Sequence, residues 1–198
     1  EMAYEGGILI VHDKQGLIES YNKGISWVSS NLGTRIKNVQ FIIANHSFFF
    51  VADWSKKLYR RGIQDTSWQL IDTTGVNYSN FHITDSLLIM LLDRKPGLRS
   101  LDNGLSWQSI PIQGFNGKSF IADFGDSLYF SNSTEVYKST DKGLNWNYLI
   151  ASPTRDLHFY SIIRAGNSLL GIDSGLGLVR TENEFNNYET SSTGIYAS

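Results

Sequence analysis

Tryptophan recurs along this chain at an interval of about 40 residues, and that period restricts the fold more than any other feature. Trp27, Trp68, Trp107 and Trp146 stand 41, 39 and 39 residues apart, and Tyr188 falls 42 further on. A second landmark lies upstream of each, where an apolar run ends in Asp13, Asp53, Asp93, Asn132 and Asp173, spaced 40, 40, 39 and 41. A shorter apolar run precedes that one. Five units of about 40 residues therefore account for residues 1–198 as a single repeat domain.

Within a unit the apolar runs are short and separated by turn residues. In the fourth unit, strands are expected over Ser119–Asp123, Ser127–Phe130, Glu135–Ser139 and Asn145–Ile150, each rich in aromatic or branched side chains. No window holds apolar residues at helical spacing over three turns, and Gly, Asn, Asp and Ser interrupt too often for helices. A four-stranded unit of this size exposes both faces and cannot bury its aromatics alone, so neighbours must stack. The expected fold is all-β, a closed five-bladed β-propeller of four-stranded antiparallel blades. A sandwich leaves the period unexplained, and an open solenoid usually has shorter coils.

The repeated turn carries a pattern. Ser100, Asp102, Gly104 and Trp107, and again Ser139, Asp141, Gly143 and Trp146, match Ser-x-Asp-x-Gly-x-x-Trp; Ser20, Asn22, Gly24 and Trp27 match with Asn for Asp. The other two units are eroded, with Arg61, Ile63 and Asp65 before Trp68, and Thr181, Asn183 and Phe185 before Tyr188. Asp or Asn accepts hydrogen bonds from following backbone amides, Gly supplies a positive φ, and Trp seals the junction between third and fourth strands. The pattern resembles the Asp-box, or BNR, repeat of sialidases, sortilin-type receptors and many secreted bacterial propellers. The resemblance implies structural box residues at the periphery, away from the ligand face, and an extracellular or periplasmic setting. It does not extend to sialidase chemistry, which needs an arginine triad, an Asp acid/base and a Tyr–Glu pair. Where the family's first blade has Arg-Ile-Pro, Arg35-Ile36 is followed here by Lys37.

Composition narrows the function classes. The chain is 41% hydrophobic and 13% aromatic, enough for a packed core, and 17 Lys+Arg against 19 Asp+Glu leave a net charge of −2. Near-neutrality without a basic block argues against nucleic acid or an anionic membrane. The longest apolar stretch, Leu87–Leu92, is far below the roughly 20 residues of a membrane helix, so no membrane insertion is expected. The N-terminus, Glu1-Met2-Ala3-Tyr4, lacks the charged and apolar regions of a signal peptide. With no cysteine there is no disulfide framework, thiolate metal site or cysteine nucleophile. His12, His46, His82 and His158 have no metal-ligand spacing, and Gly-x-Ser-x-Gly, His-Glu-x-x-His and phosphate-loop patterns are missing, so no cofactor or metal is expected.

Two groups remain as candidate ligand-binding residues. Trp54 is the one tryptophan out of register, and Lys56 and Lys57 flank it, with Arg94 and Lys95 in the same loop of the next unit. An aromatic beside cations suits a sugar ring or an acidic protein surface. Counting back from the second strands places Ala3, Ile43, His82, Asp123 and Arg164 at one inner-strand position. His82, Asp123 and Arg164 are then expected either to line a polar mouth or to tie neighbouring blades together. The sequons Asn45-His46-Ser47, Asn77-Tyr78-Ser79 and Asn132-Ser133-Thr134 all fall in expected turns. Ring closure is expected through Met2–Glu5 as the first inner strand or through the C-terminal Gly194–Ala197. The function expected is a non-enzymatic binding module for a protein partner. A lectin-like glycan binder and a degenerate sialidase-like glycoside hydrolase are the alternatives.

Overall fold

The computed structural model describes the chain except residues 15, 31–35, 37, 73–76, 114–118, 133–134, 152–158, 174–176, 183–188 and 192–198. Tyr188, Asn183, Phe185, His158 and the C-terminal closing segment lie outside the described residues. Each expected unit is one sheet of four strands joined in chain order. The first holds β1–β4 (Met2–Glu5, Ile8–Asp13, Gly16–Ser20, Val28–Ser29), and the second β5–β8 (Val39–Ala44, Phe48–Asp53, Leu58–Gly62, Gln69–Asp72). The third holds β9–β12 (Tyr78–Ile83, Leu88–Leu92, Lys95–Ser100, Gln108–Gln113), and the fourth β13–β16 (Phe120–Phe124, Ser127–Ser131, Glu135–Ser139, Asn147–Ala151). The fifth holds β17–β20 (Phe159–Ala165, Ser168–Asp173, Gly177–Thr181, Glu189–Ser191), and no helix occurs among the described residues. Met2–Glu5 is the first strand of the first sheet, paired antiparallel with β2.

The strands expected in the fourth unit are all present, displaced by at most two residues. The second strands β6 and β10 read as continuous apolar runs, not alternations, because both faces of a mid-sheet strand are packed. Phe49, Phe50 and Val51 on β6, and Leu88, Ile89 and Met90 on β10, are fully buried.

The chain divides into two compact units. The first holds the first two sheets with the turns 83–88 and 100–107; the second holds most of the third sheet's strands with the fourth and fifth sheets. In the first unit, Ile10 and Leu17 of the first sheet share a core with Phe49, Val51 and Trp68 of the second. In the second unit, Tyr129 and Val136 pack with Leu169 and Val179.

Ionic and polar links also join successive sheets within each unit. Arg61 Nη1 lies 2.7 Å from Glu19 Oε2, and the two side chains are 1% and 3% exposed. The guanidinium packs against Phe49 and Trp68, 5.4 and 5.3 Å from the ring centroids. Arg60 holds Gln69 Oε1 with Nε and Nη2 and donates from Nη1 to the carbonyl of Asn103 at 2.9 Å. Arg99 repeats the arrangement one sheet later: Nε and Nη2 hold Gln108 Oε1, and Nη1 donates to the carbonyls of Asp141 and Lys142 at 2.9 and 3.1 Å.

Candidate functional site

The three well-matched turns share one hydrogen-bond pattern. Each begins at a buried serine ending the third strand: Ser20, Ser100 and Ser139. Its hydroxyl donates to Oδ1 of Asn22, Asp102 or Asp141 at 2.7 to 2.9 Å and accepts from the Gly24, Gly104 or Gly143 amide at 2.8 Å. The same Oδ1 accepts the amide of Ser26, Ser106 or Asn145 at 2.9 Å. Lys23, Asn103 and Lys142 precede the glycines at φ of 58°, 56° and 57°, so each turn takes two consecutive left-handed residues. A Cβ on Gly104 would stand 2.7 Å from Ile71 Cδ1, and one on Gly143 2.8 Å from Ile89 Cδ1, both from the preceding sheet. Close packing therefore requires these glycines as much as their φ of 84° and 80° does.

The tryptophans are used differently. Trp68 is buried and its Nε1 donates to the Ser30 carbonyl at 2.8 Å, so the seal survives in the unit whose box has eroded. Trp146 Nε1 reaches the Gly143 carbonyl at 2.9 Å, Trp107 Nε1 is buried without a hydrogen-bond partner, and Trp27 is exposed.

The box carboxyls are strong acids here. The Ser106 hydroxyl, followed by that of Ser100, holds Asp102 at about 2, below the ordinary 3.8. The Asn145 backbone amide does the same for Asp141, also at about 2. Because folding lowers both values, their contribution to stability is fully present above pH about 4 and is lost as pH falls through about 2. Asn22 already fills this role uncharged. Asp102→Asn is therefore expected to leave stability at pH 7 within about 0.5 kcal/mol of the parent and to flatten its fall between about pH 4 and pH 2, measured by urea denaturation at each pH.

Trp54 occupies a pinned turn. Asp53 ends β6, its Oδ1 accepts the Lys57 amide at 3.0 Å, and its carbonyl accepts the Lys56 amide at 3.0 Å, with Lys56 at φ 65°. The Trp54 amide donates to the Asn38 carbonyl at 2.9 Å, and the Tyr78 hydroxyl to the Lys56 carbonyl at 3.2 Å. The backbone is thus fixed on both sides while Trp54 is 67% exposed. Lys57 is exposed and Lys56 half-buried. Arg94 and Lys95 are exposed in the matching turn of the third sheet, within the second unit. That turn has Arg-x-Pro spacing at Arg94-Lys95-Pro96, but in the third sheet, where Pro96 enters β11. Asp13 and Asn132 initiate the equivalent turns as Asp53 does, accepting the Gly16 amide at 3.0 Å and the Glu135 amide at 2.9 Å. The side chain of Asp173 lies outside the description.

The single inner-strand position expected for His82, Asp123 and Arg164 is corrected by the register. Ala3 pairs with Ile10 and Ile43 with Phe50, whereas Asp123 pairs with Leu128 and Arg164 with Leu169. Leu9, Leu128 and Leu169 in turn face Ser20, Ser139 and Thr181, which aligns Asp123 and Arg164 with Tyr4, one residue beyond Ala3. His82 stays level with Ile43, since the Thr84–Leu87 turn repeats the Asn45–Phe48 hydrogen bond. A slip of one residue reverses the face of a strand. His82 and Asp123 consequently approach from successive sheets, Nε2 to Oδ1 3.9 Å. Burial lowers the His82 pKa against the pull of Asp123, its Nε2 makes no hydrogen bond, and Asp123 is 57% exposed. The Arg164 side chain lies outside the description.

Among the described residues no group of three His, Asp or Glu side chains is placed to hold a metal ion. The Asn45 sequon is spent on structure: the buried amide donates to the Asp85 carbonyl and to Asn103 Oδ1. Sequence reasoning missed Arg60, Arg99 and the Glu19–Arg61 pair. The signal was present in the aligned period, where arginine precedes the box serine position and glutamine follows the tryptophan twice, in Arg60…Gln69 and Arg99…Gln108.

No family model and no curated protein matches the chain. Solved structures do. YCF48 bound to D1 peptide superposes with a TM-score of 0.66 at 11% identity, over 96% of this chain and 64% of that one. YCF48 from Cyanidioschyzon merolae gives 0.65 at 10% identity, over 96% and 71%. An ancestral GH74 enzyme gives 0.70 at 17% identity, over 99% of this chain and 31% of that one. The fold is that of a β-propeller. At these identities the likeness carries the fold alone.

Proposed function

We propose that the chain is an Asp-box propeller domain of five blades acting as a non-enzymatic binding module for a protein partner, in an extracellular or periplasmic setting. The observation that carries this reading is the Trp54 turn: a large aromatic held in the open by a backbone fixed through Asn38, Asp53 and Tyr78, with Lys57 exposed beside it. An exposed indole on a fixed backbone has only its side-chain rotations to lose on docking, which is the profile of an interface anchor. The likeness to YCF48 bound to D1 peptide supports a peptide or protein as the partner class. The box resemblance supports the setting, and the five sheets in chain order support the five-bladed count. Lys56 and Lys57 would favour an acidic segment.

Affinity capture from native extract tests the reading, with a photo-crosslinker at position 54 to identify the contact. Trp54→Ala is expected to lose the captured protein while its melting temperature stays unchanged, as for a surface side chain. Capture that survives Trp54→Ala overturns the assignment. Turnover of a 4-methylumbelliferyl sialoside would overturn the non-enzymatic part.

A further inference from the structure

The fourth sheet breaks the repeat in one place. Phe130 on β14, Tyr137 on β15 and Trp146 before β16 bring three aromatic rings together, with Phe130 5.9 Å from each of the other two and edge-on to Trp146 at 72°. Counting from the box serine position, Tyr137 corresponds to Ile18, Tyr59 and Leu98, and its cross-strand partner Phe130 corresponds to Val11 and Val51, partners of Ile18 and Tyr59. A feature required by the propeller would recur in every blade; this trio does not. The rings border an open cleft of about 250 Å³, whose described lining is completed by Pro111 and Ile112 from β12, the last strand of the third sheet, and by Asn132. Pro111 sits on edge strand β12 within the register shift between the Gly97–Ile110 and Pro96–Gln113 pairs, a position that tolerates a missing amide.

The polar lining groups, Asn132 and the Tyr137 hydroxyl, are both tied to Glu135. Asn132 Nδ2 and the Tyr137 hydroxyl both donate to Glu135 Oε2, at 2.9 and 3.0 Å, so one carboxylate oxygen is fixed and Oε1 receives neither donor. We propose that this cleft is a binding site for a neutral hexopyranose unit, whose C–H face packs on Trp146 and Tyr137 while its hydroxyls meet Asn132 and the Tyr137 hydroxyl, both oriented by Glu135. Mixed lining of this kind, an apolar wall with a few oriented polar groups, is the composition of a small-ligand site. No Lys or Arg is among the described lining residues, which disfavours sialic acid, uronic acids and phosphorylated sugars. The site is independent of Trp54 and of the protein-partner reading, since all six lining residues belong to the second unit.

Neutral oligosaccharides built from glucose, galactose and mannose units are titrated into the full chain while tryptophan fluorescence is followed. At least one is expected to bind saturably. Tyr137→Ala is expected to weaken it about tenfold or more, Tyr137→Phe less, and Trp54→Ala not at all. The thermal transition of Tyr137→Phe, which keeps the ring, separates loss of site from loss of fold. No saturable binding by any neutral sugar overturns the site, as does binding indifferent to Tyr137→Ala. Partner capture that persists in Tyr137→Ala while sugars fail to bind overturns the sugar site and leaves the interaction module standing.

Discussion

Glu19→Ala is expected to destabilise the protein by about 3–5 kcal/mol, because it leaves the Arg61 guanidinium buried without its counter-ion. At roughly 2–4 °C per kcal/mol for a chain of this size, the melting temperature should fall by about 10 °C. The cost comes from the stranded charge and not from the attraction it removes. Replacing both partners by apolar residues of similar volume, Glu19→Leu with Arg61→Met, should therefore recover most of the loss, and a double-mutant cycle on urea denaturation measures the difference. Equal losses in the single and double variants would mean that the aliphatic and ring contacts of Arg61 with Phe49 and Trp68 carry the stability instead.

This pair also explains an erosion that the sequence shows without a reason. Arg61 stands where the other boxes have their serine, and Glu19 stands where Arg60 and Arg99 stand in their own sheets. At the boxes of the third and fourth sheets an arginine from the preceding sheet donates to turn carbonyls. Between the first and second sheets the polarity is inverted: the acid comes from the earlier sheet and the arginine from the box position. Losing the serine turn and gaining a buried ion pair are thus one exchange.

What could be read beforehand followed from recurrence. The tryptophan and aspartate periods mark turns that recur from sheet to sheet, so strand number, strand order and the hydrogen bonds of the three well-matched boxes were accessible from residue types and spacing. Register within a strand was not, because one residue decides which face a side chain takes and short apolar runs leave that choice open; His82 and Asp123 show the consequence. The Trp54 turn was legible because it breaks the tryptophan period. The cleft of Phe130, Tyr137 and Trp146 was not, since its members come from two strands and the residue before a third, with Pro111 from another sheet, and no single segment carries their pattern.

Arg99→Ala should show whether the repeated arginine is a link between sheets or a surface ornament. Arg99 is buried, and the fork of Nε and Nη2 on Gln108 Oε1 aims Nη1 at the carbonyls of Asp141 and Lys142. Truncation removes a packed aliphatic stem and leaves Gln108 and two turn carbonyls without their donor, for an expected loss of about 2–4 kcal/mol in urea denaturation. Arg99→Lys keeps the charge and much of the stem, but one ammonium cannot grip the glutamine and reach both carbonyls at once, so it should recover less than half of that loss. The control is Gln108→Ala, which frees the fork while leaving the carbonyl contacts possible and should cost about 1 kcal/mol. If Arg99→Lys proves as stable as the parent, point charge near the turn is sufficient and the planar fork has no structural role. Amide exchange reports where the loss falls. Loosening in Arg99→Ala should concentrate at Gly143, Leu144 and Asn145, whose amides are held by Ser139 and Asp141, because the turn they close is the one that accepts from Arg99.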